Sequence, residues 1–289
     1  VIILLVLILA SAESLATRSY LIHWRDSIGL CEYMLSKAPN APSLYYNLGA
    51  AYHRLGRWQD TIESYKQAIR IKPDYAEVYD NLGAAYGELG RYQEAIEAYK
   101  QAIRIKPDYA EAHYNLGNAY PRLGRYQDAI EAYKQAIRIK PDLVAAHYNL
   151  GVAYGKLGRR QDEIEAYKQA IRIKPDYAEA HYNLGVSYEE LSRYQDAVET
   201  YKQAVRIKPD YAEAYINLGV TYYKLGRYKD AVEPYKQAIK IKPDFVLAHY
   251  NLGVDYFVIG DKEAALEEYK ILKTLDAEKA NELFNLIYK

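Results

Sequence analysis

Between residues 76 and 109, apolar positions fall at helical spacings in two groups: Leu82, Tyr86 and Leu89, then Ala95, Ile96, Tyr99, Ala102, Ile103 and Ile105. Gly90 lies between the groups. The pattern predicts two amphipathic helices joined by a tight turn. Gly90, which has no Cβ, can take the left-handed conformation that ends the first helix, and Lys106, Pro107 and Asp108 end the second because proline cannot continue it. The block recurs. Asn-Leu-Gly begins at Asn47, Asn81, Asn115, Asn149, Asn183, Asn217 and Asn251, and Pro73, Pro107, Pro141, Pro175, Pro209 and Pro243 keep the same step of 34 residues. Seven helical hairpins therefore follow one another over residues 42–279. One hairpin cannot bury its apolar face, whereas stacked hairpins bury a continuous one, so the expected fold is an all-α solenoid.

On this period, Leu82, Gly83, Tyr86, Ala95, Tyr99, Ala102 and Pro107 resemble the signature positions of the tetratricopeptide repeat family, with Tyr79 where that family has tryptophan. The resemblance implies a right-handed superhelical solenoid whose concave face is made mainly of first helices. Several units break the pattern. Glu163 stands where the close helix contact has alanine, Arg160 replaces an aromatic, and Pro121 and Pro234 fall inside predicted helices, which predicts local kinks or a soft joint near the middle.

The ends differ from the array. Residues 1–16 form an apolar N-terminal segment, 17–41 a linker and half repeat, 42–279 the seven repeats and 280–289 a capping helix. Trp24 to Pro39 keeps second-helix register, and Ala277 stands where the helix-ending proline is due. The run Val1 to Ala10 is too short to cross a bilayer alone and has neither an initiator methionine nor a basic leader. Three readings stay open: the tail of a truncated transmembrane helix, a signal peptide with Ala10, Ser11 and Ala12 as its cleavage box, or an apolar assembly helix. All suit a membrane-associated or extracytoplasmic setting, with attachment through residues 1–12. Tyr20, Trp24, Arg25, Asp26, Ser27 and Ile28, leading to Ala41 and Pro42, resemble the junction in bacterial membrane proteins of the O-mannosyltransferase type. In that family a multi-span catalytic domain precedes an extracytoplasmic repeat domain, and no catalytic segment of it is present in this sequence.

Composition narrows the function. Thirty-eight basic residues balance thirty-eight acidic ones, so the diffuse positive field that collects nucleic acid is missing. Tyrosine, at 34 residues against three Phe and two Trp, is the mark of a copied template. The lone Cys31 makes neither an internal disulfide nor a multi-cysteine zinc site. His113, His147, His181 and His249 occupy the fourth position of their units, where Tyr45, Tyr79 and Tyr215 stand elsewhere, and read as packing residues. His23 and His53 have no ligand partner at the right spacing, so no metal is expected. Glu97, Glu131 and Glu165 precede lysines by three residues, the spacing of solvated helix-face pairs rather than of acid-base catalysis. Neither a phosphate-cradling glycine loop nor a glycine-flanked nucleophilic serine appears. No enzyme activity and no cofactor are expected.

The sharper signal is the asparagine series. Asparagine can both donate to and accept from a peptide backbone, so Asn47, Asn81, Asn115, Asn149, Asn183, Asn217 and Asn251 could hold an extended chain without consulting its side chains. The peptide-binding superhelix of O-linked N-acetylglucosamine transferase is similar, and the likeness implies this use. The competing reading is a bond from each asparagine to the neighbouring helix. Tyr114, Tyr148, Tyr182 and Tyr250, one residue before asparagines, and Val152, Val186, Val220 and Val254, three after, make the carboxyl half of the groove more apolar. Glu77, Glu111, Glu179 and Glu213 oppose capture of a chaperone carboxylate. The leading expectation is a non-catalytic scaffold for a protein or peptide partner. Alternatives are the acceptor-recognition domain of a membrane glycosyltransferase, or a homo-oligomer that stacks end to end into a filament.

Overall fold

The computed structural model describes residues 27–288, which hold sixteen α-helices and no strand. The apolar run, Trp24 and the part of the O-mannosyltransferase-like junction up to Asp26 lie outside the described residues. The chain divides between Pro141 and Asp142 into two compact units. In the first, α1 (Ser27–Lys37) precedes the hairpins α2 (Pro42–Arg54) with α3 (Trp58–Ile71), α4 (Ala76–Glu88) with α5 (Tyr92–Ile105), and α6 (Ala110–Ala119) with α7 (Tyr126–Ile139). In the second, α8 (Val144–Lys156) pairs with α9 (Arg160–Ile173), α10 (Ala178–Glu190) with α11 (Tyr194–Ile207), α12 (Ala212–Lys224) with α13 (Tyr228–Ile241), and α14 (Val246–Val258) with α15 (Lys262–Leu275). The last helix is α16 (Ala277–Tyr288). Within each unit every helix packs on the next.

Each hairpin closes through one small residue. The eighth residue of the first helix is glycine, and a Cβ there would lie 2.6 Å from the Tyr99 ring at Gly83 and 2.6 Å from the Tyr201 ring at Gly185. The absent side chain is what admits the ring, and the tyrosines are buried as a result. Arg57, Arg91, Arg125, Arg159, Arg193 and Arg227, just before the second helices, lie 4.4–4.7 Å over a tyrosine ring of the preceding helix. Each also pairs with an acidic residue three positions on, which suits the positive end of the helix dipole. The turn between helices uses positive φ at Gly56, Gly90, Gly124, Gly158, Gly226 and Gly260; at the same place in repeat five Ser192 takes φ 57°.

The irregular units resolve in three ways. Pro121 ends α6 early, and Tyr120–Leu123 continues as a 3-10 turn. Pro234 causes no such break, since α13 runs helical through it. Glu163 is buried and forms an ion pair with Arg160 Nη1 at 2.7 Å, while Arg160 also pairs with Glu190 on the next hairpin. Gly155 makes the room: a Cβ on it would sit 2.6 Å from the Glu163 carboxylate. At the C-terminus α16 begins at Ala277, before residue 280, because the Asp276 carboxylate accepts from the backbone N–H of Glu278 and Lys279, both at 3.0 Å. Leu283 then fills the space beside Gly253 that earlier hairpins give to a tyrosine ring. No helix among the described residues is long and apolar enough to cross a membrane.

Candidate functional site

The sixth residue of each first helix is asparagine, and the structure shows where its amide goes. Asn81 Nδ2 donates to Tyr46 Oη at 3.2 Å, Asn183 to Tyr148 Oη at 2.8 Å and Asn217 to Tyr182 Oη at 3.1 Å. Asn115 donates to the Asp80 carboxylate at 3.0 Å, because Asp80 replaces tyrosine in that repeat. The acceptor stands 35 residues earlier each time, at the fifth position of the preceding repeat. Asn149 is also partnered. At Asn81, Asn115, Asn183 and Asn217 the amide serves repeat-to-repeat spacing. Asn47 lies exposed in the first repeat. Repeat six has Ile216 at the fifth position, which offers Asn251 no acceptor, and Asn251 instead lies close enough to the Tyr235 phenol to lower its proton affinity slightly.

Tyr114, Tyr148, Tyr182 and Tyr250 are half-buried. Tyr148 lies between Tyr167 and Tyr177, with ring centroids 5.7 and 5.0 Å away, and Tyr182 between Tyr201 and Tyr211 at 5.8 and 5.0 Å. Burial raises the Tyr148 and Tyr182 phenols above their ordinary range, with the asparagine bond pulling the other way. These rings are therefore spacers between repeats as well as part of the first-helix face. Val152, Val186, Val220 and Val254 are likewise half-buried; the first three pack on the core around Tyr201, and Val254 on the terminal core around Leu283. The fourth-position histidines close the turns: Nε2 of His113, His181 and His249 faces the carbonyl of Pro107, Pro175 and Pro243 at 3.0, 2.9 and 3.0 Å, so that nitrogen donates.

Each unit carries a socket beside its first helices. The first, about 400 Å³, is bounded by Ala84, Gly87, Tyr99, Asn115 and Asn118, with Glu88 and Arg122 at its side. The second, about 370 Å³, is bounded by Val220, Tyr223, Tyr235, Asn251 and Val254, with Tyr250 and Leu286. They occupy the same register. Each has a second-helix tyrosine and a sixth-position asparagine, walled by the ninth and twelfth residues of one first helix and the ninth of the next. The chemistry of the walls differs. Small and polar residues make the first socket hydrophilic, whereas Val220, Tyr223, Val254 and Leu286 make the second apolar.

Sequence patterning reached Asn115, Asn251, Val220, Tyr250 and Val254 but missed Tyr223, Tyr235, Gly87, Asn118 and Leu286. A signal for the twelfth position existed. While the framework positions barely vary between repeats, this one reads His53, Gly87, Pro121, Gly155, Glu189, Tyr223 and Phe257. Such variation inside a copied template marks a place that stacking does not dictate.

A family model described as TPR repeat matches residues 54–90, 86–124, 118–158, 164–192, 190–226 and 221–260, and one described as Tetratricopeptide repeat matches 144–177. The chain belongs to the tetratricopeptide repeat family, whose members are generally non-catalytic interaction modules. It is similar to the crystal structure of MamA, at 31% identity and TM-score 0.55, over 56% of this chain and 95% of that one. The crystal structure of YrrB, described as a TPR protein with an unusual peptide-binding site, matches at 24% identity and TM-score 0.58 over 65% of this chain and 96% of that one. The C-terminal part of a TPR repeat-containing protein from Cytophaga hutchinsonii matches at 17% identity and TM-score 0.72 over 82% and 98% of the two chains. The last two likenesses concern the fold. No curated protein matches the chain.

Proposed function

We propose that this chain is a non-catalytic scaffold that holds extended polypeptide against its first helices, the socket of each unit taking a side chain of the peptide bound to that unit. The observation that carries the reading is the recurrence of one socket design in two units with opposite wall chemistry. A polar side chain suits the socket beside Glu88 and Arg122; an apolar one of leucine to phenylalanine size suits the socket beside Tyr223 and Leu286. The side-chain carbonyls of Asn81, Asn115, Asn183 and Asn217, whose amides bond to the preceding repeat, supply acceptors for backbone N–H groups of the partner. MamA and YrrB are relatives in fold, and the peptide-binding site attributed to YrrB is consistent with this use. The apolar run at residues 1–10 favours a membrane-attached or exported setting for the scaffold, which fractionation of the native source would test.

Selection from a random extended-peptide library against the whole chain tests the reading. Selected peptides should carry an apolar anchor, and Val254→Asp should weaken their binding by about tenfold or more, because a carboxylate in that wall must be desolvated when the anchor enters. Helicity by circular dichroism should stay unchanged, since Val254 is only half-buried. Peptides that bind the Val254→Asp protein and the unmodified protein equally would remove the apolar socket from the function.

A further inference from the structure

Repeat seven departs from the template at two positions that the other repeats keep small and uncharged. At the tenth residue of the first helix Asp255 stands where the earlier repeats have alanine, Ser187 or Thr221. On the second helix Glu268 stands at the position of Ala98, Ala132 and Ala166. Asp255 is 0% exposed, and neither of its carboxyl oxygens has a hydrogen-bond partner. Ser187 and Thr221, in the same register, donate their hydroxyls to the backbone carbonyls of Asn183 and Asn217 at 2.9 and 2.7 Å. The position therefore accommodates an O–H, which a carboxylic acid carries and a carboxylate lacks. Glu268 is partnered: its carboxylate lies 2.6 Å from His249 Nδ1, while His249 Nε2 lies 3.0 Å from the Pro243 carbonyl. A ring with an acceptor at each nitrogen donates at both only as imidazolium.

We propose that repeat seven is latched onto its unit by two bound protons, one on Asp255 and one held between His249 and Glu268, and that the latch loosens as pH rises through neutrality.

The surroundings set the direction. Burial pushes the Asp255 carboxyl up to about 7. The titratable group on the α13 side is the Tyr235 phenol, itself held above its ordinary range by burial and then by Asp255. The bond to Glu268 raises His249; burial opposes, and the Pro243 carbonyl and the Glu268 charge add to the rise. Lys236 on α13 senses Glu268 more weakly than it senses Tyr256, and on α16 Lys279 and Glu282 pair with each other at 2.7 Å beside Tyr250. Both folded-state proton affinities exceed those of the unfolded chain, so the folded repeat binds more protons and its stability falls with rising pH. The His249 contribution is whole below its ordinary value of 6.5 and is lost above it, through its raised folded value. The Asp255 loss runs from 3.8 to about 7. Tyr250, Asn251 and Val254 share α14 with His249 and Asp255, so the apolar socket loosens along with the repeat.

Hydrogen exchange on the whole chain, corrected for intrinsic chemistry, tests the latch. Between about pH 5.5 and about pH 8.5, protection of α14–α16 amides relative to α10 amides should fall by about tenfold or more. Asp255→Thr, which installs the residue of repeat six, should remove most of that fall and raise protection at the alkaline end. Combining it with His249→Tyr and Glu268→Ala, residues taken from other repeats, should flatten the profile. A flat profile in the unmodified chain, or an undiminished fall in Asp255→Thr, would overturn the proposal. So would a carbon-13 carboxyl signal showing Asp255 ionised at about pH 5.

Discussion

Ser192 shows how one atom can mark a weak point in a copied template. Six turns carry glycine at this place with positive φ; Ser192 adopts φ 57° without the steric freedom that makes the conformation inexpensive. Left-handed backbone costs an L-residue roughly 1–2 kcal/mol, partly offset by the entropy glycine loses on folding. Ser192→Gly should therefore stabilise repeat five by about 0.5–1 kcal/mol, read as a higher urea midpoint with unchanged slope. The reciprocal case is Gly185, where the missing Cβ leaves room for the Tyr201 ring. Both glycine roles were legible in the repeat as conserved spacing within the chain, but which glycine answers to backbone conformation and which to a neighbouring ring depends on the folded hairpin.

Among the elements, the two that carry an internal proline answer it differently. Pro121 behaves as a helix breaker and turns the end of α6 into a 3-10 segment, whereas Pro234 sits buried within a continuous α13. The difference lies in context. Pro121 occupies the last turn of a first helix, where the chain is about to reverse, and Pro234 is held between helices packed on both sides. Proline lacks the N–H that would bond to the carbonyl four residues back, so α13 tolerates a defect rather than avoiding it. Ala98, Ala132 and Ala166 fill the same position elsewhere. Pro234→Ala should accordingly raise stability by about 1–3 kcal/mol in denaturant titration, and a loss of stability would show that α13 needs the proline ring for packing. Arg160 and Glu163 teach a related lesson: a glutamate in an alanine register is buried against a half-buried arginine in an aromatic register because Gly155 vacates the space.

For the whole chain, stability in a repeat array is close to a sum of hairpins and their nearest-neighbour seams, so the ends matter out of proportion to their length. In α16, Leu283 and Ile287 bury against α14 and α15, together with Leu272 and Ala265. A fully buried leucine or isoleucine contributes roughly 1.5–3 kcal/mol. A chain ending at Leu275 should expose that seam, and its α14 and α15 amides should exchange at least about tenfold faster while α8 and α9 stay protected. Equal loss of protection through α8 and α9 would mean that the second unit unfolds as one cooperative block rather than from its end.

The amino-acid sequence determined the hairpins, their period, the family and the positions on first helices from which a site could be made, because helix periodicity, turn glycine and terminating proline are all written within a single repeat. Only the tertiary structure decided which of those groups remain available. The amides of Asn81, Asn183 and Asn217 are drawn to tyrosines 35 residues away and that of Asn115 to Asp80, Ile216 offers Asn251 no such acceptor, and a socket opens in each unit where the twelfth residue allows. The physical reason is that a side chain's hydrogen-bond partner and its burial are set by what the next repeat places beside it, and that neighbour, although close in space, is a full period away along the chain.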